Sequence, residues 1–236
     1  MRGRRVTRRE ALAAAAGAAA AGITAPHLSG SEPPTAEEFP KDGDAALERL
    51  KADNLRFVEG KTRHAHEGGA WRKQLVGGQR PFATVLGCSD SRAPVELVFD
   101  QGFGDLFVVR VAGNVVAADV IGSIAYASLH LRTPLFVVMG HAECGAVTAA
   151  VDEKMNKSKE PERIEALLRM IEPGLKDLDW KLAHTDLVAA AVEANVRWSL
   201  RQLTDIPAVR LAVKRHKIVL AGAVYDLKTG QVWLLK

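Results

Sequence analysis

Cys88-Ser89-Asp90-Ser91-Arg92 closes the apolar run 82–87 (FATVLG), and His141-Ala142-Glu143-Cys144 closes a second one, 134–140 (PLFVVMG). Both runs are short and rich in β-branched and apolar residues, the pattern of strands buried on both faces. Polar residues that end such strands fall on the loops where open α/β sheets carry their chemistry. Two thiolates and one imidazole are a known zinc set that leaves a fourth coordination position open, and Cys88, His141 and Cys144 supply it. Taken singly, each has a blander reading, because free cysteine often only fills core space and a histidine beside an apolar run is commonly a satisfied core or surface residue. Their combination is more specific: these are the only two cysteines in 236 residues, and one stands three residues from the histidine.

Working outward, strands are expected at 82–86, 106–111, 135–139, 218–225 and 232–235, and helices at 44–58, 71–76, 120–131, 146–152, 161–171 and 187–203. The first of these helices carries Leu47, Leu50, Leu55 and Val58 at helical spacing with Gly60 beyond its end. Strands alternating with helices define an α/β fold with a mainly parallel β-sheet covered by helices on both faces. The glycines at 77–78, 102–104 and 113 fit neither G-x-x-x-x-G-K-[ST] nor G-x-G-x-x-G, so they read as turns. His64 and His66 form an H-x-H in a polar stretch that reads as a solvated loop.

The amino-terminal residues are different material. Thr7-Arg8-Arg9-Glu10-Ala11-Leu12 resembles a twin-arginine export signal, and the alanine-rich run 11–23 is too short and too weakly apolar for a membrane span. Ile23-Thr24-Ala25 or Ala19-Ala20-Ala21 is a small-residue cleavage site; the competing reading is a basic helical arm. The expected organisation is therefore an export signal at 1–25, a Ser/Pro/Glu-rich linker at 26–42 and one catalytic domain at 43–236, with a periplasmic or extracytoplasmic destination. Five arginines against Glu10 give the first 25 residues a net +4, equal to the net charge of the whole chain, so the rest is close to neutral. No basic face with interleaved aromatics remains, which excludes nucleic acid as a partner. In an exported protein two cysteines also suggest a disulfide, which competes directly with zinc here.

C-S-D-S-R about fifty residues before H-x-x-C-G resembles the β-class carbonic anhydrases. The likeness extends to Gly78-Gln79-Arg80-Pro81, Phe99-Asp100-Gln101-Gly102, Gly104 to Arg110, Ala112-Gly113-Asn114 and Gly222-Ala223-Val224-Tyr225-Asp226. The resemblance implies a zinc enzyme that converts carbon dioxide reversibly to bicarbonate and a proton by zinc-hydroxide attack, working as a homodimer or homotetramer. It implies catalytic roles for Asp90, which orients the nucleophile or serves as a fourth zinc ligand in a closed state, and for Arg92, whose planar fork holds that carboxylate off the metal. Gln79, nine residues before Cys88, matches a substrate-binding glutamine; Phe107 and Tyr126 match pocket positions, with core packing as the equal alternative; and Gly145 lets substrate approach closely. Some members carry tryptophan three residues before the first cysteine, in an inhibitory bicarbonate site. This chain has Val85 there, which puts that site in doubt although Arg110 is present. Two other functions fit: hydrolysis of carbon disulfide or carbonyl sulfide on the same fold, and a non-catalytic binding domain stapled by zinc or a disulfide.

Overall fold

The computed structural model describes residues 39–156 and 158–235. The proposed export signal and residues 26–38 of the expected linker lie outside them. The described chain opens with helix α1 (Gly43–Val58), whose first turn is capped by Asp42 accepting from the Ala45 N–H at 2.8 Å. A short α2 (Gly69–Gln74) and a 3₁₀ turn (Leu75–Gly77) lead to strand β1 (Ala83–Gly87). Next come α3 (Val95–Val98), β2 (Leu106–Arg110), a 3₁₀ turn (Ala112–Asn114), α4 (Ala118–Tyr126) and β3 (Leu135–His141). The chain continues through α5 (Gly145–Asn156), α6 (Glu162–Ile171), α7 (His184–Asp205), α8 (Pro207–Lys214), β4 (Val219–Tyr225) and β5 (Val232–Leu234).

The five strands form one sheet in the order β2-β1-β3-β4-β5, with every pair parallel except β4 and β5. All residues of β1 and β3 are buried, as expected of parallel strands covered on both sides. The side-chain period of two divides them between two cores. Val85, Leu135, Val137, Met139 and Ala223 face Ala46 and Leu50 of α1 and Val95 and Val98 of α3. Leu86, Phe136, Val138 and Val224 face the other way, onto Val147 of α5, Leu168 of α6 and Val192 and Val196 of α7. Each fully covered leucine contributes about 1.5–3 kcal/mol. Helix α7 comes very close to the sheet: a Cβ on Gly140 would stand 2.7 Å from Val196 Cγ2, so a larger residue there would force Val196 or the helix to shift.

The chain leaves β1 for β2 on one side and returns as β3 on the other. The switch falls between β1 and β3, whose carboxyl ends are where such sheets bind ligands. Two differences from the expected elements stand out. The helix expected over 120–131 is α-helical only to Tyr126 and then widens into a π turn (Ala127–Leu131), closed by Arg132 at φ 55°. A further helix, α8, follows α7 because Ile206 is extended and Pro207 restarts the chain at a first helical position. No described helix is long and apolar enough to cross a membrane.

Candidate metal centre

Cys88 stands one residue past β1, His141 is the last residue of β3, and Cys144 immediately precedes α5. Gly87 pairs with Met139 in the parallel register, so the two strand ends lie side by side. One ligand atom from each of Cys88, His141 and Cys144 falls within 4.8 Å of the others, and all three residues are buried. Two sulfurs bound to one zinc at about 2.3 Å and a tetrahedral angle stand roughly 3.8 Å apart; the two Sγ atoms here are 3.9 Å apart, and both cysteines are free. His141 Nδ1 donates to the Ala142 carbonyl at 2.9 Å, which fixes the tautomer and leaves Nε2 as the lone-pair nitrogen. That Nε2 is buried without a hydrogen-bond partner, a cost a protein bears where a ligand completes the atom. The donor set, the sulfur spacing and the unpaired nitrogen fit zinc.

The electrostatics favour an anionic sulfur at Cys88. The Cys88 thiol is held below its ordinary range, first by its hydrogen bond with Cys144 and then by His141 and the N–H groups of Asp90 and Gly113, against the opposing effect of burial. Each of those two N–H groups lies 3.4 Å from Cys88 Sγ. The Cys144 thiol is pushed up, chiefly by Cys88 and then by burial. We read this as Cys88 ionising first, with its charge holding the second proton on Cys144; a divalent cation reverses that and deprotonates both. Burial alone would lower the His141 pKa, but the adjacent Cys88 outweighs it and the net direction is up.

Asp90 faces this triangle, its Oδ2 3.8 Å from His141 Nε2. Arg92 grips the carboxylate through side chain and backbone, and its hydrogen bond is the main reason the Asp90 pKa lies well below the usual carboxylate range. Arg92 Nη2 also donates to the Glu143 carbonyl at 3.3 Å, tying the two ligand loops together. Arg110 at the end of β2 donates to the carbonyls of Cys88 (2.8 Å) and Asp90 (2.6 Å). Its guanidinium thereby shapes the first ligand loop, and Val85 is a buried core residue of β1.

The remaining expected residues are less tightly gathered. Gly145 is exposed beside Cys144, and a Cβ there would meet nothing within 4 Å, so space is open on that side. Gln79 is exposed in the segment before Pro81. Phe107 pairs with Thr84 in the register, four residues back from Cys88, which is about 13 Å along a strand. It stacks at 6.2 Å on Tyr126, which is 48% exposed; within one chain this pair is not brought over the ligand triangle. Glu143 is exposed, as a solvated residue should be. The H-x-H is only half a solvated loop: His64 is exposed, but His66 is tucked against buried Asp105, with Nδ1 to Oδ1 at 2.7 Å, and stacked on Trp71 at 4.1 Å.

Two buried cysteine sulfurs and one imidazole at the switch point of a mainly parallel sheet, with an aspartate latched by arginine beside them, define a zinc-type metalloenzyme centre. The family model described as "Carbonic anhydrase" matches residues 83–232, well over half of the chain. Carbonic anhydrase 2 of Mycobacterium tuberculosis is 50% identical over 107 residues, covering 45% of this chain and 52% of that protein. Carbonic anhydrase 1 of Escherichia coli O157:H7 is 36% identical over 169 residues, covering 68% and 76%. Among solved structures, the β-carbonic anhydrase CcaA superposes with a TM-score of 0.67 at 28% identity, covering 81% of this chain and 95% of that one. The chain belongs to the carbonic anhydrase family, in its β class. Its match to the Mycobacterium relative spans about half of that protein's length.

Proposed function

We propose that the chain catalyses the reversible hydration of carbon dioxide to bicarbonate and a proton, with zinc held by Cys88, His141 and Cys144. The observation that carries this reading is the Asp90–Arg92 pair beside the three ligand atoms: a purely structural metal site needs no restrained carboxylate at its open side. Zinc, when bound, supplies Lewis acidity that brings the pKa of a water in its fourth position toward neutrality.

The chain's own residues then have distinct tasks. The Asp90 carboxylate, ionised because Arg92 holds it so, accepts a hydrogen bond from the attacking oxygen and aims its lone pair at the carbon of carbon dioxide. Arg92 keeps that carboxylate from collapsing onto the ligand triangle. Arg110 shapes the loop that carries both Cys88 and Asp90. The open side of Gly145 leaves room for the substrate, and the Gln79 amide donates to a bicarbonate oxygen.

Phe107 and Tyr126 can serve an apolar pocket only if they reach a site other than the one on their own chain. We accordingly infer a homodimer or homotetramer, in which a second copy covers the exposed Tyr126 and Leu129. Thr7-Arg8-Arg9 supports export by the twin-arginine route to a periplasmic or extracytoplasmic compartment. Changing Arg8 and Arg9 to lysine should leave active protein in the cytoplasm, and normal export of that variant would remove this part of the reading. The reaction itself is tested by assaying hydration of carbon dioxide against hydrolysis of carbon disulfide and carbonyl sulfide on one purified sample. Hydration should dominate, and hydrolysis without hydration would overturn the assignment.

A further inference from the structure

Helix α7 is apolar where it meets the sheet, with Leu187, Val188, Ala191, Val192, Val196 and Leu203 buried, yet Asn195 and Ser199 are equally buried on that helix. They are four residues apart and so share one face. Both send their donors to the same place: Asn195 Nδ2 donates to the Gly113 carbonyl at 2.8 Å, and Ser199 Oγ donates to the Asn114 carbonyl at 3.1 Å. The 3₁₀ turn they hold is the one whose Gly113 N–H donates to Cys88 Sγ at 3.4 Å. Gly113 has φ 64°, and a Cβ there would stand 2.8 Å from Ile171 Cδ1, so any other residue would strain the backbone of this turn and push against Ile171 at the end of α6. The Oδ1 of Asn195 is buried without a partner. Half of the amide is thus left unsatisfied, and what the side chain contributes is its N–H.

We propose that Asn195 and Ser199 are positioning residues for the metal centre: by fixing the carbonyls of Gly113 and Asn114 they aim the Gly113 N–H at the Cys88 sulfur. An N–H directed at a thiolate ligand withdraws charge from it and fixes its direction, and partners of this kind tune both metal affinity and ligand electronics. Control of Cys88 therefore comes from two sides, from Arg110 on the β2 side through the ligand loop and from α7 through the turn after β2. The proposal rests on the zinc reading of the centre.

The test uses the full chain, loaded with zinc or with cobalt(II) as a spectroscopic substitute. Zinc content of the wild type, zinc affinity by chelator competition, the thiolate-to-cobalt charge-transfer band and the melting temperature of the metal-free protein are measured for Asn195→Leu, Asn195→Asp, Ser199→Ala, Ser199→Thr and Val188→Ala. Asn195→Leu and Asn195→Asp, which remove the donor at nearly constant volume, should weaken zinc binding by about 10-fold or more and move the band to longer wavelength. Ser199→Ala should do the same to a smaller degree, and Ser199→Thr, which keeps the hydroxyl, should restore the wild-type band. Val188→Ala, two turns away on the same helix, should lower the melting temperature while leaving affinity and band unchanged. Wild-type affinity and band in the Asn195 variants and in Ser199→Ala would overturn the proposal, and if the Asn195 variants do not fold, Ser199→Ala alone decides it. A wild type that binds no zinc defeats the reading of the centre itself, and the positioning role falls with it.

Discussion

The Arg92 guanidinium lies along the Asp90 carboxylate in two parallel hydrogen bonds, Nε to Oδ1 at 3.0 Å and Nη2 to Oδ2 at 2.8 Å. The same Oδ2 is 3.8 Å from His141 Nε2, so one carboxylate oxygen is shared between the arginine and the edge of the metal centre. On an open surface such a pair contributes little to stability. Here its geometry matters more than its energy, because without the fork the carboxylate is free to turn toward the ligands.

Arg92→Ala should therefore keep its metal and lose most of its hydration activity, by about 10²-fold or more. Asp90→Ala should also keep its metal, since Cys88, His141 and Cys144 remain, and should lose activity because the acceptor for the attacking oxygen is missing. The double variant should be little worse than Asp90→Ala alone, since the two residues act as one unit. Metal content and hydration rate of all four proteins check this; loss of zinc in Asp90→Ala, or simple additivity, would remove the latch.

A second prediction concerns the frame of the fold. Arg56 of α1 bonds Asp53 at 2.5 Å and Asp100 at 2.8 Å, and both carboxylates are nearly fully buried. Asp100 sits at φ 50° and also accepts the N–H groups of Arg63 and His64, while Asp53 retains Arg49 and Gln101. Arg56→Ala strands buried charge that these remaining partners only partly offset. We expect a loss of about 2–4 kcal/mol, measured by denaturant unfolding of the metal-free protein; an unchanged midpoint would contradict it.

The turn between β4 and β5 should show a pH signature. Asp226 Oδ1 accepts from the N–H groups of Lys228 at 2.7 Å and Thr229 at 2.8 Å, and the Thr229 N–H is the largest influence lowering its pKa. A carboxyl depressed in the folded state stabilises above its unfolded pKa, about 3.9, and that contribution is lost as pH falls through the folded value. Asp226→Asn should thus be slightly less stable than the wild type at pH 7, by about 0.5 kcal/mol or less at a site only partly shielded from solvent. The gap should close as pH is lowered from 5 toward 3. A gap that widens on acidification would refute the assignment.

The strands and the metal ligands were legible because their signals are local. Runs of buried β-branched residues mark β1 and β3, and Cys88, His141 and Cys144 are chemically distinctive at their ends. Ends of helices were less legible: α7 runs from His184 to Asp205, beyond both expected ends, because its outer turns are polar and carry no apolar stripe. The short α3 carries no sequence signal because four residues show no period. The Asp90–Arg92 pair followed from the motif, but the roles of Arg110, Asn195 and Ser199 carried no sequence signal, since each acts through backbone carbonyls that any residue offers. Nothing local announces Asp105, thirty-nine residues away, as the partner of His66. For Phe107 and Tyr126 the resemblance offers a pocket role and packing an equal alternative, and within one chain they stack on each other, with Tyr126 also against His130.

The central claim is that the three ligands hold one zinc on which activity depends. The most direct measurement is metal analysis and carbon dioxide hydration on the same purified protein, before and after chelation and after reloading with zinc, with Cys88→Ser carried alongside. One zinc per chain, activity lost on removal and regained on reloading, and a Cys88→Ser protein lacking both metal and activity is the expected result. A native protein without zinc, its two thiols joined in a Cys88–Cys144 disulfide that reduction opens, would contradict the account.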